Sequence, residues 1–440
     1  MRVTRTSPAG LQISTRTTIS GWTFALIILG IYTNIGISVA GRYIPGLLTY
    51  LAICLLFMKI GIRSKLSIST LAFLLSSMLL LNIAATNSYN ISDIERIFSM
   101  GLITLSVISF ATIVASLEKI SAYEVQRLHR TFLWLTVILL IGSFLEVVGI
   151  LKPLSDVVRN TIYANSFIYD SIARDLRDFG MQRPNLFTQE PSHLAKMVGL
   201  SSYSIFALRP SHKSFWLSMA GFALGIFLIR SATLLAPLLI TLVLAMIHAT
   251  RAHRAAPLLS CVFAATFIVM ALNLTTIARF IPGSRAALIA GGGDMSAIER
   301  ILAPARIVAR SFNENLLFGF GIGTKEALVG ITADVYSTFP NYNFFRLFSN
   351  RDVGFGWYNA LAEGVATLGL IGFFTLWILL IATFGIRRVL LFLFPFVAIF
   401  TLDSGFPSSR AWVYFGLYAG FFAISAEQRF LSKRAEISPT

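Results

Sequence analysis

Little in this chain carries charge, and less still can hold a metal. Of 440 residues, 13% are Asp, Glu, Lys or Arg, two are cysteine and five are histidine. Cys54 and Cys261 each lie inside an apolar run, so they build neither a disulfide framework nor a thiolate metal site and read as small core residues. No H-x-x-x-H spacing occurs, and the histidines are too scattered to share a zinc ion. A P-loop is missing. Gly291-Gly292-Gly293-Asp294 reads as a flexible turn, and Gly319-Phe320-Gly321-Ile322-Gly323 is not a dinucleotide fingerprint, because no strand precedes it. With no internal repeat, low-complexity tract or soluble-domain boundary, residues 1–440 read as one integral membrane domain.

What the chain has instead is apolar surface. It is 56% hydrophobic with a mean hydropathy of +0.75, more than one soluble core of this size can hide. Lipid satisfies no backbone amide, which leaves helices or closed barrels, and these runs are continuous rather than alternating. The expectation is an all-α, polytopic transmembrane bundle of about twelve spans. They fall near 22–40, 43–60, 66–84, 98–116, 132–151, 193–208, 214–230, 232–249, 255–275, 357–384, 389–403 and 411–426. The basic start followed by an apolar stretch has the form of a signal sequence, with Ser38-Val39-Ala40 loosely like a cleavage site. Another span follows at once, so an uncleaved anchor is expected.

A net charge of +16 raises the question of nucleic acid, and its distribution answers it. Threading the spans through a bilayer puts 18 basic and four acidic residues on one side, against 17 basic and 14 acidic on the other. This is the positive-inside pattern; it places both termini in the cytoplasm and needs no nucleic acid partner. Two long loops then lie outside, 152–192 and 275–356, carrying short helices.

Those loops and their borders hold the candidate residues. In Arg183-Pro184-Asn185-Leu186-Phe187-Thr188-Gln189-Glu190-Pro191-Ser192-His193, Pro191 suits the first position of a helix and makes Glu190 its N-cap. The same helix start, with its free amides and Arg183 nearby, suits a carboxylate base or a phosphate; the other reading is that Glu190 merely caps the helix, and both stand. Along an amphipathic segment from about Met295 to Asn315, Arg306 and Arg310 share a face while Arg300 lies nearer the start. Guanidinium forks match a pyrophosphate, but a solvated face paired with Glu299 and Glu314 explains them too. Arg230 sits between two spans, where it either snorkels or meets an anion. Glu146 and Glu363 are acids inside apolar runs, suited to function or to a buried interhelical hydrogen bond.

Taken in order, three segments resemble the O-antigen polymerase and ligase superfamily, the Wzy-type integral membrane glycosyltransferases. Arg183 to Ser192 is similar to the arginine, phenylalanine and Glu-Pro-Ser signature of the polymerases. Arg300 to Gly323 resembles the arginine-led helix and Gly-x-Gly turn of the large outer loop, and Trp357-Tyr358-Asn359 with Glu363 and Gly369 resembles the start of the following span. Tyr358 stands where the ligases usually carry a histidine, which argues against the ligase branch, and Ser231 follows Arg230 where the family order is serine first.

The resemblance implies a GT-C-like fold in the bacterial inner membrane with two periplasmic loops. It implies undecaprenyl-pyrophosphate-linked oligosaccharide as substrate, membrane lipid and a chain-length regulator protein as partners, and no metal or other cofactor. On this reading Glu190 is the catalytic base, with Arg300 the catalytic cation. Arg183, Arg230, Arg306, Arg310, His193, Asn359 and Glu363 contribute to pyrophosphate or glycan binding. The competing readings are an O-antigen ligase acting on a lipid A core, a flippase for the same lipid-linked units, and a non-catalytic scaffold. Transporters usually carry charge at the bilayer midplane, whereas here it gathers in the outer loops.

Overall fold

The computed structural model describes residues 21–39, 42–44, 46–86, 93–163, 175–176, 181–248, 302–323, 328–339, 359–402 and 405–437. The expected span 255–275 and the candidate Arg300 lie outside the described residues. Fourteen helices are described: α1 Gly21–Thr33, α2 Leu47–Lys59, α3 Ile62–Ala85, α4 Asp93–Leu117, α5 Ala122–Val147, α6 Lys152–Ile162 and α7 Pro191–Leu208. After these come α8 His212–Ile229, α9 Leu235–His248, α10 Ala303–Asn315, α11 Val329–Ser337, α12 Ala360–Phe384, α13 Ile386–Leu402 and α14 Ser409–Ile437.

Five of them, α3, α4, α5, α8 and α12, are long and apolar enough to cross a membrane; α1, α2 and α9 are shorter apolar helices. This is the architecture of an α-helical membrane protein. Its outer face carries Leu66, Phe73, Leu81, Trp134, Ile138, Phe227 and Ile378 exposed, a surface that only lipid can cover at low cost.

Two differences from the sequence expectation have local causes. The span expected over 22–40 ends at Thr33, where Asn34 takes a left-handed φ of 49°. The chain then turns through a two-stranded antiparallel hairpin, Ile37–Val39 against Arg42–Ile44, so the all-α expectation misses one small sheet. The span expected from 132 begins ten residues earlier as a helix. Ser121 and Glu124 form a reciprocal capping box there, and the helix continues through a charged turn that hydropathy alone discards.

Two helices sit at the centre. Nearly every side chain of α7 is buried, as is the stretch 411–423 of α14, and the two pack against each other. Small residues let the flanking helices α9 and α4 close on them. A Cβ on Gly199 would lie 2.7 Å from the Pro237 ring, and one on Gly420 would lie 2.5 Å from Leu117 Cδ1. Close approach over small side chains is how helices associate where lipid removes the hydrophobic drive. Around α14 an aromatic cluster closes the core, with Phe110 and Phe415 stacked at 4.4 Å and Trp412 edge-on to Phe400 at 5.0 Å.

Basic residues gather at one end of the bundle. Lys119 Nζ donates to Ser64 Oγ at 3.1 Å, and Arg388 pairs with Glu118 at 2.6 Å, so the α2–α3, α4–α5 and α12–α13 connections meet there. The imidazole of His129 donates from Nδ1 to the Ile205 carbonyl at 3.0 Å, which brings the end of α7 to the start of α5. Helix direction therefore sends the N-termini of α7 and α14 to the opposite end.

Candidate functional site

At that opposite end, two buried carboxylates each hold a loop that leads into a central helix. Glu146, 3% exposed in the last turn of α5, accepts from the backbone amides of Asn185, at 2.9 Å, and of Leu186. A carboxylate in this position replaces the water those amides would otherwise lose. Leu186 and Phe187 have φ of 42° and 67°, a tight reversal that the bonds around it must hold. One face of α6 supplies them. Ser155 Oγ accepts from Phe187 N at 3.1 Å, and Arg159 donates to the carbonyls of Thr188 (2.9 Å) and Gln189 (3.2 Å). Tyr163 donates to Thr33 O at 2.7 Å, and Tyr32 donates to Leu186 O.

Glu363 does the same for the second loop. Buried in the first turn of α12, it accepts from Phe406 N at 2.7 Å, and the Phe406 carbonyl in turn accepts from Trp412 Nε1 at 2.8 Å. Asn359 caps α12, its Oδ1 accepting from Ala362 N at 2.9 Å. Both membrane acids thus serve as backbone anchors.

The two anchored helix starts converge on three side chains. Glu190 occupies the N-cap position of α7 with extended dihedrals, yet its carboxylate accepts from no backbone amide of that helix. It turns instead to the Ser192 hydroxyl, which donates to it, and lies 3.3 Å from His193 Nε2. Arg410, from the first turn of α14, reaches the same Nε2 at 2.6 Å. A guanidinium only donates, so in this contact His193 Nε2 accepts from Arg410. His193 and Arg410 are buried, while the Glu190 side chain keeps 30% of its surface open. The result is one accessible carboxylate backed by a buried imidazole and a buried permanent cation.

One turn deeper, Lys196 and Tyr414 line a small cavity of about 20 Å³ together with Thr233, Pro237 and Tyr418. Its size suits one water, and the Tyr418 hydroxyl has no hydrogen-bond partner among the described residues. Arg230 ends α8 at a φ of 50°, and its neighbour Ser231 lies 2.8 Å from the Thr233 hydroxyl. The α8–α9 connection is thereby set against the same stretch of α7.

The other expected residues are placed elsewhere. Arg183 is ion-paired with Asp175 through Nε at 2.9 Å, and its own amide donates to the same carboxylate. Arg306 donates to Thr338 Oγ1 at 2.7 Å and stacks 4.7 Å over the Phe339 ring. Arg310 lies 3.4 Å from Asp334, with 47% and 73% of the two side chains exposed. Both arginines thus face α11, through Thr338 and Asp334; the expected partner Glu299 lies outside the described residues.

The Gly319–Gly323 turn is neither a phosphate cradle nor a free loop. Helix α12 breaks at Gly369, at φ 63° and ψ −174°, and the turn fills the break. Phe320 and Gly321 donate to the carbonyls of Ala366 (3.0 Å) and Thr367 (2.9 Å), and Leu370 and Ile371 donate back to those of Leu316 (3.1 Å) and Leu317 (3.0 Å). Backbone polarity inside a membrane helix is tolerated where protein re-satisfies it in this way. A Cβ on Gly319 would lie 2.5 Å from Gly369 N, and one on Gly369 would lie 2.4 Å from Gly319 N, so glycine is required on both sides.

Sequence reading overlooked Arg410, Arg159 and Lys196. Arg410 had a signal: Pro407-Ser408-Ser409-Arg410 puts a serine cap and a cation at the head of the last apolar run. Lys196 had another, a lone cation six residues after Glu190 inside a span. No protein-family model matches the chain, and no curated protein matches it.

Proposed function

We propose that this chain is a metal-independent glycosyltransferase of about twelve spans with a GT-C-like arrangement, which polymerises undecaprenyl-pyrophosphate-linked repeat units into O-antigen or exopolysaccharide. The reaction runs at the periplasmic face of the bacterial inner membrane. The observation that carries the proposal is the convergence of Glu190, His193 and Arg410 at the helix ends opposite the basic end.

Glu190 takes the proton of the attacking sugar hydroxyl, which requires an accessible carboxylate held in place. The hydroxyl oxygen bonds to the anomeric carbon of the lipid-linked chain. The bond from that carbon to the pyrophosphate oxygen breaks, and the lipid pyrophosphate leaves with the electron pair. Cations stabilise its charge; Arg410 and Arg230 are set near α7, and Arg300 retains the role its place in the sequence suggests. His193 orients Arg410, and the anchors Glu146 and Glu363 hold the two loops in register.

A flippase is the second reading, because α12 is discontinuous and transporters use broken helices at their sites. The break here is filled by the Gly319–Gly323 turn rather than open to a cavity, and that favours the transferase.

The test is a gel of surface glycans from a deletion strain complemented with the wild type or with Glu190→Gln at equal protein level. Long chains restored by the wild type alone, with single repeats still attached in the variant, support the polymerase. Unattached polymer in the variant means a ligase, and repeats trapped in the cytoplasmic leaflet mean a flippase.

A further inference from the structure

Far from the Glu190 cluster, at the basic end, a groove of about 410 Å³ runs between α3 and α12. Arg63, Ser67, Leu71 and Leu74 line it from α3, and Leu379 and Thr383 from α12. The α3 positions recur every three or four residues and form one continuous stripe. The Thr383 hydroxyl donates to its own helix at Leu379 O, 2.8 Å away, so this part of the lining presents methyl groups rather than polar ones. Leu71 is buried and forms the floor.

Charge marks the mouth. Arg63 is exposed, and among the described residues no carboxylate pairs with it. The neighbouring carboxylate, Glu118, is already paired with Arg388, while Lys65 and Lys119 have turned to Met58 O and Ser64 Oγ. From Arg63 to Leu74 the stripe extends about 16 Å along the helix at the standard rise. That matches the depth of one leaflet, about 15 Å, or half the hydrocarbon thickness.

We infer that this groove is a binding site for one anionic glycerophospholipid of the leaflet at the basic end, its phosphate on Arg63 and one acyl chain along Leu71, Leu74 and Leu379. An exposed guanidinium at headgroup level, paired with no carboxylate among the described residues, selects negative charge, and an apolar channel one leaflet deep selects a chain rather than a soluble phosphate. The proposal is independent of the chemistry at Glu190.

Native mass spectrometry of the detergent-purified full chain tests it, with phosphatidylglycerol and phosphatidylethanolamine of identical acyl chains as probes. One phosphatidylglycerol is expected to be retained in preference to phosphatidylethanolamine. Arg63→Gln should weaken that retention about fivefold, the effect of one basic residue at an anionic surface. Leu74→Trp, which fills the groove, should abolish it, and Lys213→Gln, on α8, should leave it unchanged. If Leu74→Trp fails to fold, the Arg63→Gln arm decides. Equal retention of the two lipids, unchanged binding in Arg63→Gln, or a lipid-free dimer covering the groove would each overturn the proposal.

Discussion

Two regions of this protein are rich in arginine, and they hold it in opposite ways. Where α7 and α14 begin, Arg410 is buried against His193, which also meets Glu190, on helix starts that Glu146 and Glu363 anchor from inside the bundle. On α10, Arg306 and Arg310 lie at the surface against Thr338, Phe339 and Asp334. A buried cation must be compensated by groups fixed in place, so its position is determined, whereas an exposed pair is screened by water and contributes little. Enclosure singles out the first region.

The sharpest way to break this contrast is at the carboxylate. Glu190→Gln should lower polymer formation by about 10²- to 10⁴-fold, the range for loss of a general base, with protein level unchanged. Full-length polymer from that variant would remove the cluster from the chemistry. Arg410→Lys keeps the charge but loses the planar fork, and should cost about 10²- to 10³-fold in the same glycan assay. If lysine serves as well as arginine, Arg410 contributes simple charge and not geometry.

Smaller effects separate anchoring from catalysis. Glu146→Leu leaves two buried amides without an acceptor and should cost about 1–3 kcal/mol for each, seen as a lowered melting temperature in detergent. Glu363→Leu takes the acceptor from the Phe406 amide and should lower the melting temperature as well. An unchanged melting temperature in either variant would mean that its loop is not held as described. Gly369→Ala should also lower the melting point, since its left-handed φ and the 2.4 Å approach of Gly319 N exclude a side chain; an unchanged midpoint would argue that the turn does not fill the break. At the bottom of the scale, Arg310→Gln should change stability by less than about 1 kcal/mol and leave the polymer pattern intact. A strong phenotype there would reverse the ranking of the two regions.

Much of the helical plan is legible from apolar runs alone, because membrane helices bury or expose whole stretches of like character. The expectation over 357–384 lands close to α12, and Pro191 with Glu190 marks the start of α7 to the residue. The misses share a cause. Apolar runs say nothing of a charged helical turn, so α5 was expected to start late. They also say nothing of a break within a run, so Gly369 was invisible until the Gly319 turn was seen inside it. Among the candidate residues, Glu190 and His193 belong together because four residues of one helix start hold them both. Arg183 looked like their neighbour by sequence distance, but Asp175 holds it.

Local chemistry by itself determined that this chain forms apolar helices, where α7 begins, and that Glu190 stands at that start, since these depend on composition, proline geometry and capping within a few residues. Only the tertiary structure decided that Arg410, some two hundred residues away, completes the cluster, that Glu146 and Glu363 act as backbone anchors, and that a glycine turn seals α12. Those facts depend on which surfaces meet, and burial makes an unpaired charge or amide so costly that each must find its partner across the fold.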